Sequence, residues 1–353
     1  MPLTEGQKYQ FIISDCLSAL EQMADNSVNC IITSPPYWGM RIYDNADDIN
    51  EVGNERLFDE YVKKLTKIFS ECKRILTDDG SLWLNLGDKY NNKALMGMPW
   101  RVAISLIDNS GWILRNDVIW NQLKGTQSCK DRLRDSYEHI FHFVKNKKYY
   151  YDDDSVRIKP TKQPTVTKDT VTSSTGVSGK KYRRLIAEST VLSEEEKKAA
   201  LQALDETLEE VRTGILNDFR MTIRGAQRAW HSENTKVSGR AKELEAKGFY
   251  VMKIKSKGCL PTDIWNIVTE DTWRKDNHCA VFPEELLRIP ILATCPKGGI
   301  VLDPFSGTGS TVAAALKLGR RGIGIDLSED YILSSIKRIE EIAVSPTLFD
   351  DEE

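Results

Sequence analysis

Val28-Asn29-Cys30-Ile31-Ile32-Thr33-Ser34-Pro35-Pro36-Tyr37 is the stretch on which the reading of this chain turns. The apolar run from Val28 to Ile32 is too short for a helix and reads as a strand buried on both faces. It ends in a polar, proline-locked, aromatic tip. Each proline fixes φ and removes an N–H, and a residue before proline is pushed to extended geometry. Ser34 and Pro35 are therefore expected to be stiff and extended, with carbonyls that no local N–H can claim. At the carboxyl edge of a sheet, such a tip offers a hydroxyl, carbonyl oxygens and an aromatic face. That set suits a planar ligand bearing an amino group. Taken alone, however, these residues fit a plain polyproline-type connector better than an active site, so the flanking chain has to decide.

Upstream, residues 9–15 form a short apolar strand ending in Asp15, and Cys16 to Met23 carries Leu17, Leu20 and Met23 at helical spacing. The opening is thus β-α-β, which implies a parallel sheet. Downstream, the polar stretch Gly39 to Glu55 reads equally as a mobile flap or a surface loop. Leu57 to Leu76 has one apolar stripe of Tyr61, Leu65, Ile68, Phe69, Cys72 and Ile75 and predicts a helix, stopped by Thr77-Asp78-Asp79-Gly80. A strand over 81–86, a helix over 99–110, and strands over 112–120 and 137–144 follow. The last two suggest an antiparallel sheet edge.

Composition bounds the function. The chain has 353 residues, 40% of them hydrophobic, and a net charge of −3. There is room for one large α/β core plus an insertion, and any nucleic-acid affinity must come from local patches. Seven scattered cysteines with no Cys-x-x-Cys pair, and no long apolar run, predict a reduced, intracellular protein with no membrane partner. No metal site is expected. His139 and His142 sit three apart in a β-like run, on opposite faces, and read as packing residues.

Composition shifts near Tyr149. Between Ser155 and Arg184 there are eight Lys/Arg against the single acid Asp169, in a Thr/Ser/Pro-rich stretch expected to be irregular. Ser193-Glu194-Glu195-Glu196 is a capping box opening a helix whose stripe runs Leu201, Leu204, Leu208, Val211, Ile215, Phe219. Arg220 to Lys257 is basic again, with ten Lys/Arg and with Trp230, Phe249 and Tyr250 interleaved. Two basic flanks around one acidic helix suggest a nucleic-acid-facing insertion, against the alternative of a solvated basic surface.

After Leu260 the α/β character returns. Gly299 to Thr311 reads as a strand, a Gly-x-Gly turn and a helix start, and Gly322 to Asp326 as a second strand ending in an acid. This is the layout of a nucleoside-binding half-sheet. The spacing from Gly307 to Asp326 fits the roughly twenty residues expected. Val312 stands where a dinucleotide fingerprint has its third glycine, and no Gly-Lys-Ser/Thr is present. Asp303 beside the turn repels a pyrophosphate and welcomes an ammonium. A ligand with an adenosine and an amino-acid tail, S-adenosyl-L-methionine, answers all three observations.

Asp303-Pro304-Phe305-Ser306-Gly307-Thr308-Gly309-Ser310-Thr311 together with Thr33-Ser34-Pro35-Pro36-Tyr37 resembles the amino-DNA methyltransferases, in the motif order of their β group. Gly80 to Leu86, Trp112 to Trp120 and His278 to Pro283 match as well. The resemblance implies a Rossmann-like α/β sheet, mostly parallel with an antiparallel edge. A catalytic domain would be split into residues 1–151 and 259–343 around a target-recognition insertion at 152–258, with a disordered acidic tail at 344–353.

The resemblance further implies residue roles. Ser34 and the Pro35 carbonyl would accept hydrogen bonds from the target amine, with Pro36 stiffening the tip and Tyr37 stacking on the base. Phe305 would pack on the adenine of S-adenosyl-L-methionine, Asp15 would meet its amino group and Asp326 its ribose. Asp303 would take the ammonium and Ser310 or Thr311 the carboxylate, with Thr33, Pro304, Ser306, Gly307, Thr308 and Gly309 lining the site. The implied substrate is double-stranded DNA, flipped at the target base, in the cytoplasm of a bacterial, archaeal or phage-infected cell. A companion restriction endonuclease and a homodimer stay open. Ser-Pro-Pro-Tyr is more often associated with the N4 of cytosine, and adenine N6 is the close alternative. A Rossmann oxidoreductase, a silent DNA-binding protein and an RNA methyltransferase are the rival classes.

Overall fold

A computed structural model describes residues 3–4, 6–39, 52–123, 129–158, 164–167, 170–226, 239–254, 258–269 and 283–344. Most of the Gly39–Glu55 stretch, Trp230, residues 278–282 and the acidic tail lie outside the described residues. The chain forms two compact units, 1–156 with 262–353, and 157–261.

The first unit begins β1 (Tyr9–Ile13), α1 (Cys16–Glu21), β2 (Val28–Thr33), α2 (Phe58–Ile75) and β3 (Leu76–Leu86). A small hairpin, β4 (Tyr90–Asn91) and β5 (Ala94–Leu95), leads to α3 (Met98–Ser110), β6 (Ile113–Asn121) and β7 (Tyr137–Val144). The second unit holds β8 (Thr165–Val166), β9 (Val171–Thr172), α4 (Gly179–Ala187), α5 (Glu194–Arg212), β10 (Asp218–Ile223), α6 (Gly239–Lys247) and β11 (Phe249–Ile254). The first unit then resumes with β12 (Ile264–Asn266), α7 (Glu284–Thr294), β13 (Ile300–Asp303), α8 (Ser310–Lys317), β14 (Arg321–Asp326) and α9 (Glu329–Val344).

One eight-stranded sheet, ordered β1-β14-β13-β2-β3-β7-β6-β12, carries the first unit. Its pairs are parallel except those made by β7, which runs antiparallel to both β3 and β6. The antiparallel strand is therefore not outermost, because β6 and β12 lie beyond it. Both faces are covered, as the unbroken apolar run of β2 requires. Ile31 joins the core built with Leu65, Phe69 and Leu106, while Cys30 and Ile32 join the opposite core with Leu287, Ile291 and Ala315. The six stripe residues of α2 are all buried.

Three local readings shift. Residues 77–80 do not simply end a helix, since the strand starts at Leu76 and its register against β2 jumps from Val28↔Leu76 to Cys30↔Ser81. A Cβ on Gly80 would stand 3.0 Å from the Asn29 carbonyl, so the extra residues need a glycine to fold so tightly. The α5 stripe overruns its helix: Gly214 turns at φ +76°, Ile215 is exposed, and Phe219 belongs to β10. The basic stretch expected to be irregular ends in α4, whose Tyr182 and Ile186, four apart, are buried on one face. The capping box is formed, Ser193 Oγ accepting from the Glu196 N–H and Glu196 Oε2 from the Ser193 N–H. Among the described residues no helix is long and apolar enough to cross a membrane.

Candidate active site

From β13 the chain runs through α8 to β14 on one side, and from β2 through α2 to β3 on the other. Helices α8 and α2 pack on opposite faces, so the loops leaving β13 and β2 diverge and open a crevice at the carboxyl edge between them. Such a topological switch point is where open α/β sheets bind ligands.

The two sequence motifs form the walls of that crevice. Val301 and Leu302 pair in parallel with Cys30 and Ile31, and one step on, Thr33 Oγ1 donates to Asp303 Oδ1 at 2.7 Å. Asp303 Oδ1 also accepts from the Phe305 N–H at 3.1 Å, and Oδ2 from Thr311 Oγ1 at 2.6 Å. Burial pushes the Asp303 carboxyl up to about 6, against the lowering effect of these three donors. Thr33, Asp303 and Thr311, spread over 278 residues, thus form one buried strap tying β2 to the glycine turn.

In the turn itself, Gly307 and Gly309 have φ of +48° and +72°, the left-handed region glycine enters without strain. Gly309 has a packing duty as well, for a Cβ there would meet Ser335 at 2.8 Å and Phe11 at 3.2 Å. Asp326 Oδ2 accepts from the Gly307 N–H at 2.9 Å and Oδ1 from the Ser328 N–H at 2.9 Å. The Ser306 hydroxyl is buried with no partner among the described residues. Phe305 is half-buried and packs against the core. Pro304 is buried and Thr308 half-buried in the same turn. Arg338 of α9 donates to Ser310 Oγ at 2.8 Å and to Glu284 Oε1 at 2.7 Å, bracing the start of α8. Asp15 caps α1, its Oδ1 accepting from the Ser18 N–H at 3.0 Å.

At the β2 tip, Pro35 is buried, and Tyr61 of α2 donates its hydroxyl to the Pro36 carbonyl at 3.0 Å. Ser34 Oγ donates to the Tyr37 hydroxyl at 3.3 Å, and Tyr37 donates to Glu138 Oε2 at 2.7 Å. Asn85 Nδ2 donates to Tyr37 at 2.7 Å and Glu138 at 2.6 Å, and Gln122 Nε2 donates to Glu138 Oε1 at 2.6 Å. The Tyr37 ring lies over Gly87, where a Cβ would come within 2.6 Å of it. Burial, with the nearby Glu138, holds the phenol well above its ordinary value.

Asn85, Gln122 and Glu138 do not stand out in the sequence. Asn85 and Glu138 sit inside segments read only as strands and Gln122 just past one, and they meet Tyr37 because β3, β7 and β6 are neighbours in the sheet. The available signal was an amide or acid interrupting each apolar strand near the end that reaches the crevice. His139 and His142 do pack: His139 pairs with Asp117 at 2.8 Å, and His142 stacks on Trp83 at 4.2 Å. Burial lowers His142 to about 3, so it is neutral.

Comparison with known proteins agrees with this geometry. The DNA methylase family N6_N4_Mtase matches residues 28–337. The type II methyltransferase M.SfiI of Streptomyces fimbriatus is 30% identical over 97% of this chain and 93% of its own length. M.SmaI of Serratia marcescens is 28% identical over 94% of this chain and 90% of its own. Among solved structures, PvuII DNA methyltransferase (cytosine-N4-specific) shares the fold, with a TM-score of 0.55 at 16% identity, covering 96% of this chain and 94% of that one. With a family match across most of its length, this chain belongs to the N6/N4 DNA methylases.

Proposed function

We propose that this protein transfers a methyl group from S-adenosyl-L-methionine to the exocyclic N4 of a cytosine flipped out of duplex DNA. The observation that carries the reading is the meeting of the Ser34–Tyr37 tip and the Asp303–Thr311 turn at one switch point. The residues of the turn fit the cofactor. The left-handed Gly307 and Gly309 shape a backbone cradle, and the buried Ser306 hydroxyl has no partner among the described residues. Phe305 offers an apolar surface to the adenine, and Asp15 and Asp326 offer carboxylates to its amino group and to the ribose. Asp15 keeps acceptor capacity beyond the Ser18 N–H bond it already accepts. Asp303 holds three donors of its own chain, which leaves about one lone-pair direction for an ammonium. The bound cofactor supplies an electrophilic methyl group.

The difficulty then lies with the amine, whose lone pair is delocalised into the ring. Ser34 Oγ and the Pro35 carbonyl accept its two N–H bonds and hold it where the lone pair can point at the methyl. Positioning of this kind supplies much of the acceleration. Tyr37 stacks on the flipped base, worth roughly 1–3 kcal/mol against an unstacking cost of a few. The second unit, residues 157–261, with its Lys/Arg-rich stretches, takes up most of the expected target-recognition region of 152–258 and contacts the DNA backbone. In this reading the enzyme works in the cytoplasm. The test is calorimetry followed by transfer: S-adenosyl-L-methionine binds and NAD does not, and labelled methyl enters duplex DNA. Binding of NAD in its place, or label entering structured RNA and not DNA, would overturn the proposal.

A further inference from the structure

Ser34 can accept the amine's hydrogen bond only if its own hydroxyl proton points elsewhere, and nothing in the β2 tip alone fixes that direction. The network around Tyr37 does. We infer that Glu138 is a positioning residue of the methyl-transfer site, the anionic end of a Ser34–Tyr37–Glu138 chain that leaves the Ser34 lone pairs facing the target amine.

The polarity follows from the partners. A carboxylate only accepts, so the Tyr37 hydroxyl must spend its single proton on Glu138 Oε2, 2.7 Å away. Tyr37 oxygen is then an acceptor, and Ser34 Oγ donates to it at 3.3 Å. Asn85 enforces the same order. Its Nδ2 donates to Glu138 at 2.6 Å and to Tyr37 at 2.7 Å, with Ser34 Oγ more distant at 3.4 Å. Turning the amide over would set its oxygen against the carboxylate, so its orientation is fixed. The Asn85 carbonyl oxygen is left buried with no donor among the described residues. Gln122 closes the far side by donating to Glu138 Oε1 at 2.6 Å. Residues in β3 and β7, and just beyond the ends of β2 and β6, thus contribute to one network whose direction is set by one charge. Gly87 completes it, since any side chain there would push the Tyr37 ring aside.

This assignment rests on the proposed function, and its test separates the two. In Glu138→Gln the charge is lost and one acceptor oxygen becomes an NH2 group: turned toward Asn85 and Tyr37 it sets donor against donor, and turned toward Gln122 it leaves Tyr37 only an uncharged, weaker acceptor. The expected result is a fall in kcat on the order of 10²-fold, the loss typical of a misplaced reacting group. The KM for DNA and the Kd for S-adenosyl-L-methionine should stay within about twofold, the range in which binding is unaffected. Tyr37→Phe, which removes only the phenol oxygen, should lower kcat similarly, and the double variant should be no slower than the slower single, as for residues acting as one unit.

The second readout needs neither DNA nor cofactor. With tyrosine labelled at Cζ, the NMR resonance missing from the Tyr37→Phe spectrum should move in Glu138→Gln. Glu138 on β7 and Tyr61 on α2 both act on Tyr37, so Tyr61→Phe is measured beside Glu138→Gln and should move the resonance less. An unchanged kcat, losses that multiply in the double variant, or a resonance that does not move would each overturn the inference. If Glu138→Gln does not fold, Gln122→Met carries the test, with both a lower kcat and a moved resonance required. A wild-type protein that methylates no DNA would instead refute the proposed function, while the Cζ shift still reported on the Tyr37–Glu138 bond.

Discussion

At the scale of single residues, the two motifs that meet at the switch point could be picked out of the sequence, while the residues hydrogen-bonded to them could not. Ser34 and Tyr37 declare themselves through the prolines around them, and Asp303 through its place before a Gly-x-Gly turn. Asp303 also carries a consequence that only its surroundings reveal. Burial lifts its carboxyl to about 6, so it is ionised above that pH and neutral below it. The raised value means that the ionised form costs folding stability, a cost absent below the unfolded value near 4 and fully present above 6. If the charge helps to hold the ammonium, affinity for S-adenosyl-L-methionine at pH 5 should be about tenfold weaker than at pH 7.5, one unit below the transition leaving about a tenth of the groups charged. Asp303→Asn should flatten that dependence. Calorimetry across the range checks both, and a pH-independent wild type would remove Asp303 from cofactor binding.

At the scale of elements, periodicity served well where one face of an element is buried and poorly where tertiary contacts override it. The stripe of α2 and the two-sided burial of β2 are visible in the chain, one as a helical period and the other as an unbroken apolar run. The bulge at residues 77–80 and the early end of α5 are not. The first depends on how closely β3 approaches Asn29, and the second on Gly214 turning left-handed inside an apolar pattern. Glycine function is likewise divided. Gly309 reads in sequence as a cofactor glycine, yet its Cβ direction is filled by Ser335 of α9 and Phe11 of β1. Gly309→Ala should therefore lower stability by about 1–2 kcal/mol from backbone strain alone, before any contact is counted. It should also weaken cofactor binding, because the α8 start moves with it. Thermal unfolding with and without S-adenosyl-L-methionine measures the two effects separately, and a stable variant with normal ligand-induced stabilisation would contradict the packing assignment.

At the scale of the whole molecule, the order of motifs was legible and the sheet order was not. The β2 strand near the start and a glycine turn near the end become neighbours because β13 inserts between β14 and β2, a placement no local spacing encodes. The insertion is the least legible part. Its charge pattern points to DNA, but its small core of α4, α5, β10 and β11 depends on contacts such as Tyr182 against Phe219 that run between distant segments. Lys180 and Lys181 lie exposed on α4. Replacing both with Gln should weaken DNA binding evenly across sequences and reduce the slope of log affinity against log salt by about 1–2. A salt titration of binding checks this, and an unchanged slope would mean that α4 does not face the phosphates.

The central claim is that the Ser34 tip and the Asp303 turn act together on a cytosine amine. Its most direct measurement is incubation of unmodified plasmid with S-adenosyl-L-methionine labelled in the methyl group, followed by nucleoside mass spectrometry. The account predicts labelled N4-methylcytosine from the wild-type protein and none from Ser34→Ala. Label in N6-methyladenine, or N4-methylcytosine undiminished in Ser34→Ala, would contradict it.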